Sequence, residues 1–179
     1  MMIREASTAD LADALTIERL AFGRDDEAEL VKHLLKDSSA EPILSLLAFE
    51  QERAVGHLLF TAGHWRDKQL AVPISFLAPL AVVPDRQRQG IGSQLVEAGL
   101  QRLAALGTQL VFVVGYPSYY PRFGFEPAGP LGFSPPYPMP EAVADAWMVK
   151  ALSPGIIGNV SGQVICADTL NRPEYWRES

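Results

Sequence analysis

Apolar residues recur along the chain at two spacings, and the change from one to the other marks out the elements. Ile3-Arg4-Glu5-Ala6 is short and predicts a first strand. Ser7 or Thr8 then caps a helix starting near Ala9, and Ser7 and Asp10 stand at capping-box spacing with Asp in place of Glu. Leu11, Leu15 and the Leu20-Ala21-Phe22 end give this helix an apolar face, and Gly23 closes it. Asp25-Asp26-Glu27 opens a second helix, where carboxylates favour the positive end of the dipole. Leu30, Val31, Leu34 and Leu35 form its expected buried stripe.

Strand patterns follow. Residues 43–50 and 54–63 are apolar runs joined by a hairpin turn at Gln51-Glu52-Arg53, and a third strand over 74–83 ends at Pro84. Residues 90–106 predict a strong helix: Ile91, Leu95, Leu100, Leu103 and Leu106 keep the helical period, and Gly107 suits the C-cap. Residues 110–114 are nearly all apolar, as in a strand covered on both faces. Residues 119–123 predict a short helix. The stretch 129–140 carries five prolines and predicts a loop, either a lid or a passive crossover. Short strands are expected over 146–152 and 163–167. There is no internal repeat and no linker. The expectation is one domain over 1–179, its core about 2–152, with an α/β (α+β) fold around a mixed sheet.

Composition narrows the class of function. Hydrophobic residues make up 48% and charged residues 20%, which excludes a disordered chain. The net charge of −6 argues against sequence-independent nucleic-acid binding, which runs on phosphate neutralisation, and suits a neutral or cationic partner. Cys166 is the single cysteine, so no internal disulfide can form. No apolar run reaches the ~18 residues of a membrane helix, and the N-terminus has no signal-peptide core. His33, His57 and His64 are scattered, and no metal-ligand spacing is present. A cytoplasmic, metal-free protein is expected.

The informative segment is Leu80-Ala81-Val82-Val83-Pro84-Asp85-Arg86-Gln87-Arg88-Gln89-Gly90-Ile91-Gly92-Ser93, between a strand and the strong helix. Unpaired N–H groups at a helix N-terminus bind anions, and the dipole assists. Gly90 and Gly92 let the backbone approach a ligand, and Arg86 and Arg88 add positive charge. Together they describe a pyrophosphate seat; the alternative is a helix that merely begins with glycines. The Rossmann and P-loop patterns are not met.

Gln87-x-x-Gly90-x-Gly92, after a strand and opening a helix, resembles motif A of the GNAT superfamily of N-acetyltransferases. Tyr120-Pro121-Arg122-Phe123-Gly124-Phe125 resembles the family's Tyr-x-x-x-Gly-Phe, and Gly115–Tyr120 with the late strands resembles the YhbS-like acetyltransferases. The resemblance implies a mixed, mostly antiparallel sheet flanked by helices. It implies acetyl-CoA as cosubstrate, an amine acceptor, no metal and a homodimer. By the same resemblance, Leu80, Ala81 and Val82 pair with pantetheine, and Gln87, Arg88, Gln89, Gly90, Ile91, Gly92 and Ser93 hold the pyrophosphate. A splay between the 74–83 strand and the 110–114 strand admits the thioester.

Amide formation needs a deprotonated amine, a polarised carbonyl and a protonated leaving thiolate. Backbone amides near Val82 are expected to polarise the carbonyl. Tyr120 is the expected general acid, because a tyrosine near pKa 10 stays protonated at neutral pH. Tyr119 points about 100° away on a helix, so one of the two should face the sulfur. No Asp or Glu lies in 74–83, so a base on that strand is absent. Ser118 is a relay or a turn former, His33 a base or a surface residue, and water can suffice. Asp25-Asp26-Glu27 either attracts a cationic amine or only stabilises a helix start. Cys166 is expected to be a small buried residue and not a nucleophile. The acceptor is a small amine or a peptide; the other reading is an acyl-CoA-binding module without turnover.

Overall fold

The computed structural model describes residues 1–176. In chain order the elements are β1 (Met2–Glu5), α1 (Leu11–Phe22), α2 (Asp26–Leu34), β2 (Leu44–Glu50), β3 (Arg53–Trp65) and β4 (Ile74–Val82). They continue with α3 (Ile91–Ala105), β5 (Leu110–Val114), β6 (Glu126–Pro127), β7 (Phe133–Ser134), β8 (Trp147–Ala151) and β9 (Gly162–Ile165). The sheet runs β1-β2-β3-β4-β5-β8-β6, with β9 paired to the far end of β3 and β7 paired to β9. Neighbours along the main path are antiparallel except β4 and β5, which α3 connects as a crossover.

The two-residue alternation of β3 defines the faces. Gly56 and Phe60 lie under α3: a Cβ on Gly56 would stand 2.8 Å from Leu95, and one on Gly99 would stand 2.3 Å from the Phe60 ring. His57 points the opposite way, to Glu18 of α1. Register carries these faces outward. Leu80 and Val82 pair with Leu58 and Gly56 and share the α3 face. Phe76 pairs with Thr61 and, across β5, with Phe112, on the α1–α2 face. Two apolar cores result. One gathers Leu95, Leu100, Val111, Val113, Tyr120 and Phe125. The other gathers Leu30, Phe76, Phe112, Trp147 and Trp176.

Local chemistry explains where the elements begin. A 3-10 turn over Thr8–Asp10 precedes α1, and the Asp10 carboxylate accepts from the Ser7 amide at 2.7 Å and the Ser7 hydroxyl at 3.0 Å. Arg4 grips the same carboxylate with two bonds, of 2.7 and 2.9 Å, tying β1 to the helix start. Gly23 closes α1 at φ 67°. The buried stripe of α1 is Ala14, Ile17 and Glu18, whereas Leu20 and Phe22 are exposed. The expected apolar face is therefore rotated, with Glu18 buried against His57 inside the molecule. Leu35 and Leu106 were expected in buried stripes and are exposed, each lying past the last turn of its helix. The 129–140 stretch is mostly loop but contains β7, and Phe133 is buried in the second core.

Candidate active site

Pairing of β4 with β5 ends at Phe76 and Phe112. Beyond that point β5 continues against β8, and β4 continues against β3. A bulge turns β4 further: Leu59 of β3 faces both Ala78 and Pro79 between the flanking pairs Leu58–Leu80 and Phe60–Leu77. The two parallel strands part and leave the β5-facing edge of 77–82 without a strand partner. A cleft of about 890 Å³ occupies the gap, lined by Leu77 to Leu80 and Val82 on one wall and Val113 to Gly115 on the other.

At one end of this cleft stands the start of α3. Its first internal bond runs from the Gln94 amide to the Gly90 carbonyl at 3.0 Å. The amides before it, Arg88 through Ser93, have no acceptor among the described residues. Arg88 has φ 63° and Gly90 has φ 85°, and such left-handed residues curve successive N–H groups toward one point. The row begins one residue later than the motif suggested. The Gln87 amide reaches the Pro84 carbonyl at 3.4 Å, and the Gln87 side chain donates to the Val82 carbonyl at 3.0 Å, fastening loop to strand. Arg86 is held by Glu50 at 2.9 Å and by Asp85 at 3.2 Å. Arg88 is exposed and has no ion-pair partner among the described residues. Of the predicted set, Leu80, Val82, Gln87, Arg88, Gly90, Ile91, Gly92 and Ser93 line the cleft; Ala81 and Gln89 do not. Ala81 pairs with His57 and points its side chain into the α1 face.

Tyr119 and Tyr120 both line the cleft, in different surroundings. A Cβ on Gly92 would stand 3.0 Å from the Tyr119 hydroxyl, so Tyr119 reaches over the start of α3. The Arg122 guanidinium lies 4.4 Å from the centre of the Tyr119 ring. Tyr120 is buried, its ring packed so closely on Gly115 that a Cβ there would meet it at 2.2 Å. Burial, then the neighbouring Tyr119 and Tyr116, pushes the Tyr120 hydroxyl well above the ordinary tyrosine range.

The opposite end of the cleft is formed by Phe22, Glu27, Leu30, Leu170, Tyr175 and Trp176. Leu170, Tyr175 and Trp176 were missed in the sequence; an aromatic pair in a polar tail was their only signal. Of the acidic run, Glu27 alone reaches the cleft, and Arg24 bonds both its oxygens. His33 lies outside the lining and bonds the Glu29 carbonyl at 2.7 Å. Ser118 is an exposed loop residue whose carbonyl accepts from Arg122 at 3.5 Å. No residue of 129–140 lines the cleft.

Sequence reading also passed over a buried relay: Ser45, His57 and Glu18 bond in line at 3.0 and 2.6 Å. Burial raises the Glu18 carboxyl, and His57 opposes this. The relay does not line the cleft. Cys166 is buried, and burial pushes its thiol up to about 12, which makes it a poor nucleophile. Among the described residues no group of His, Cys, Asp and Glu could hold a metal, and no helix is long and apolar enough to cross a membrane.

Comparison with known proteins agrees with this geometry. The acetyltransferase (GNAT) domain family matches residues 2–128. YjhQ of Escherichia coli (strain K12), named as an uncharacterized N-acetyltransferase, is 44% identical over 161 residues, spanning 89% of this chain and 88% of its own. The crystal structure of the GNAT family N-acetyltransferase YhbS from Escherichia coli in complex with CoA superposes with a TM-score of 0.86 at 30% identity, covering 96% of this chain and 92% of that one. A GNAT family acetyltransferase from Brucella melitensis in complex with acetyl-CoA superposes at 0.74 with 25% identity, covering 94% and 97%. The chain is a GNAT-family acetyltransferase.

Proposed function

We propose that the protein moves an acetyl group from acetyl-CoA to a primary amine by direct transfer while both substrates are bound. The observation that carries this reading is the junction of three features in one cleft. Six consecutive amides without acceptors among the described residues lie at the start of α3, the gap between β4 and β5 adjoins them, and Tyr120 lines that gap. Amides Arg88 to Ser93 hold the pyrophosphate of the cosubstrate, with Arg88 and Arg122 as nearby cations. The unpaired edge of β4 at Leu80 to Val82 takes pantetheine as an added strand. A backbone N–H near Val82 polarises the thioester carbonyl.

The amine attacks the carbonyl carbon, and the carbon–sulfur bond breaks with its electron pair on sulfur. Tyr120 gives its proton to that thiolate. Burial that makes Tyr120 a weaker acid also raises the proton affinity of a thiolate in the same apolar cleft, so the transfer stays matched. The absence of a carboxylate from β4 leaves water to take the amine proton. The disulfide-free chain suits the cytoplasm, and a homodimer is the arrangement to test by sedimentation.

Tyr120→Phe separates a transferase from an acyl-CoA-binding module. Steady-state thiol release should fall by about 10²-fold, the usual worth of a general acid, with acetyl-CoA affinity unchanged. Equal rates for variant and wild type would remove Tyr120 from the mechanism.

A further inference from the structure

The two faces of the sheet divide the cleft by chemistry. The amides and the exposed Arg88 belong to the α3 face. The opposite end is built by α1, α2 and the C-terminal segment, and it is almost wholly apolar. Trp176 is fixed there, its ring edge-on to Phe76 at 6.0 Å and its indole N–H bonded to the Leu170 carbonyl at 3.1 Å. Phe22 and Tyr116 are the two exposed aromatic side chains among the described residues, and both border the cleft. An exposed aromatic at a cleft mouth is a ready contact for an apolar ligand. Among the described residues Glu27 is the single carboxylate of the lining, and Arg24 already donates to its two oxygens at 3.0 and 2.6 Å.

We propose that the acceptor is a primary amine carrying one positive charge on an apolar body, an arylalkylamine or alkylamine, and not a polyamine or an amino sugar. This rests on the transferase reading above and deepens it. A second or third ammonium would lie against Phe22, Leu30 and Trp176. Glu27 is already bonded by Arg24, and the exposed Asp26 and Glu174, which act on Tyr175, stand outside the lining, so a further buried charge would be poorly paired and costly. A monoamine avoids that cost. The apolar wall also disfavours the ammonium form of the one amine present, so the reactive neutral form is reached without a base on β4. In the step, the carbon–nitrogen bond forms as the carbon–sulfur bond breaks. Sulfur takes the Tyr120 proton, the amine proton passes to water, and Tyr120 is reprotonated from solvent.

The test uses the full chain with acetyl-CoA and four acceptors: 2-phenylethylamine, hexylamine, spermidine and kanamycin. Thiol release gives kcat/KM, and calorimetry gives acetyl-CoA affinity in parallel. The two monoamines should exceed the two polycations by at least about tenfold, the discrimination an apolar pocket commonly supplies. Phe22→Glu, at an exposed position that folding tolerates, should narrow or reverse the ratio while acetyl-CoA still binds. Polycations used as well as or better than monoamines would overturn the proposal, as would four idle acceptors with acetyl-CoA bound. Either result leaves the cosubstrate site intact. Failure to bind acetyl-CoA at all would instead remove the transferase reading.

Discussion

Tyr119 and Tyr120 are neighbours in sequence, yet one hydroxyl reaches over Gly92 and the other ring is packed against Gly115. The Tyr-x-x-x-Gly-Phe spacing points to Tyr120 as the proposed acid, and Gly124 at φ 91° fixes the turn that buries Phe123 and Phe125 beside it. Burial then has a consequence for pH. A raised pKa keeps Tyr120 in its acid form as pH climbs through the ordinary tyrosine value of 10.0. The kcat profile should therefore rise as the amine loses its proton and stay high to about pH 10. A fall below pH 10 that Tyr120→Phe abolishes would contradict the assignment. The Glu18–His57 contact was not legible in the sequence. Its partners are 39 residues apart, and periodicity alone assigns a charged residue to solvent.

Helices and strands with one clean period were read with little error: β5 was placed at its observed ends, and α3 within a residue at each end. What escaped were β6 and β7, two residues each, in stretches where proline and glycine signal a turn and tertiary pairing makes a strand. Gly99 shows how an element can oppose its own propensity. A glycine inside a helix costs about 0.5–1 kcal/mol relative to alanine. At this position, however, an added Cβ would stand 2.3 Å from the buried Phe60 ring. Overpacking of about 1–3 kcal/mol outweighs the propensity gain. Gly99→Ala should lower unfolding stability by about 1–2 kcal/mol in a urea titration. A stabilised variant would show that α3 does not rest on β3 as closely as described.

Across the whole molecule, the proposed function rests on the parting of β4 and β5 beyond Phe76 and Phe112. The proposed cosubstrate end of the cleft was legible in one continuous segment, because glycines, arginines and a helix start are adjacent in sequence. The proposed acceptor end was not, since Phe22, Glu27, Leu30 and Trp176 come from α1, α2 and the C-terminal segment and meet only on folding. The net charge of −6 gives no hint of the proposed anion site, for which the backbone amides with Arg88 and Arg122 are the local candidates. That site is the centre of the account, and calorimetric titration with acetyl-CoA tests it most directly. Micromolar binding is expected. It should weaken at least about tenfold in Gly90→Val, where φ 85° excludes a β-branched residue, and in Gly92→Val, where a Cβ already crowds the Tyr119 hydroxyl at 3.0 Å. A wild-type protein that binds no acetyl-CoA, or folded variants that bind it equally well, would contradict the account.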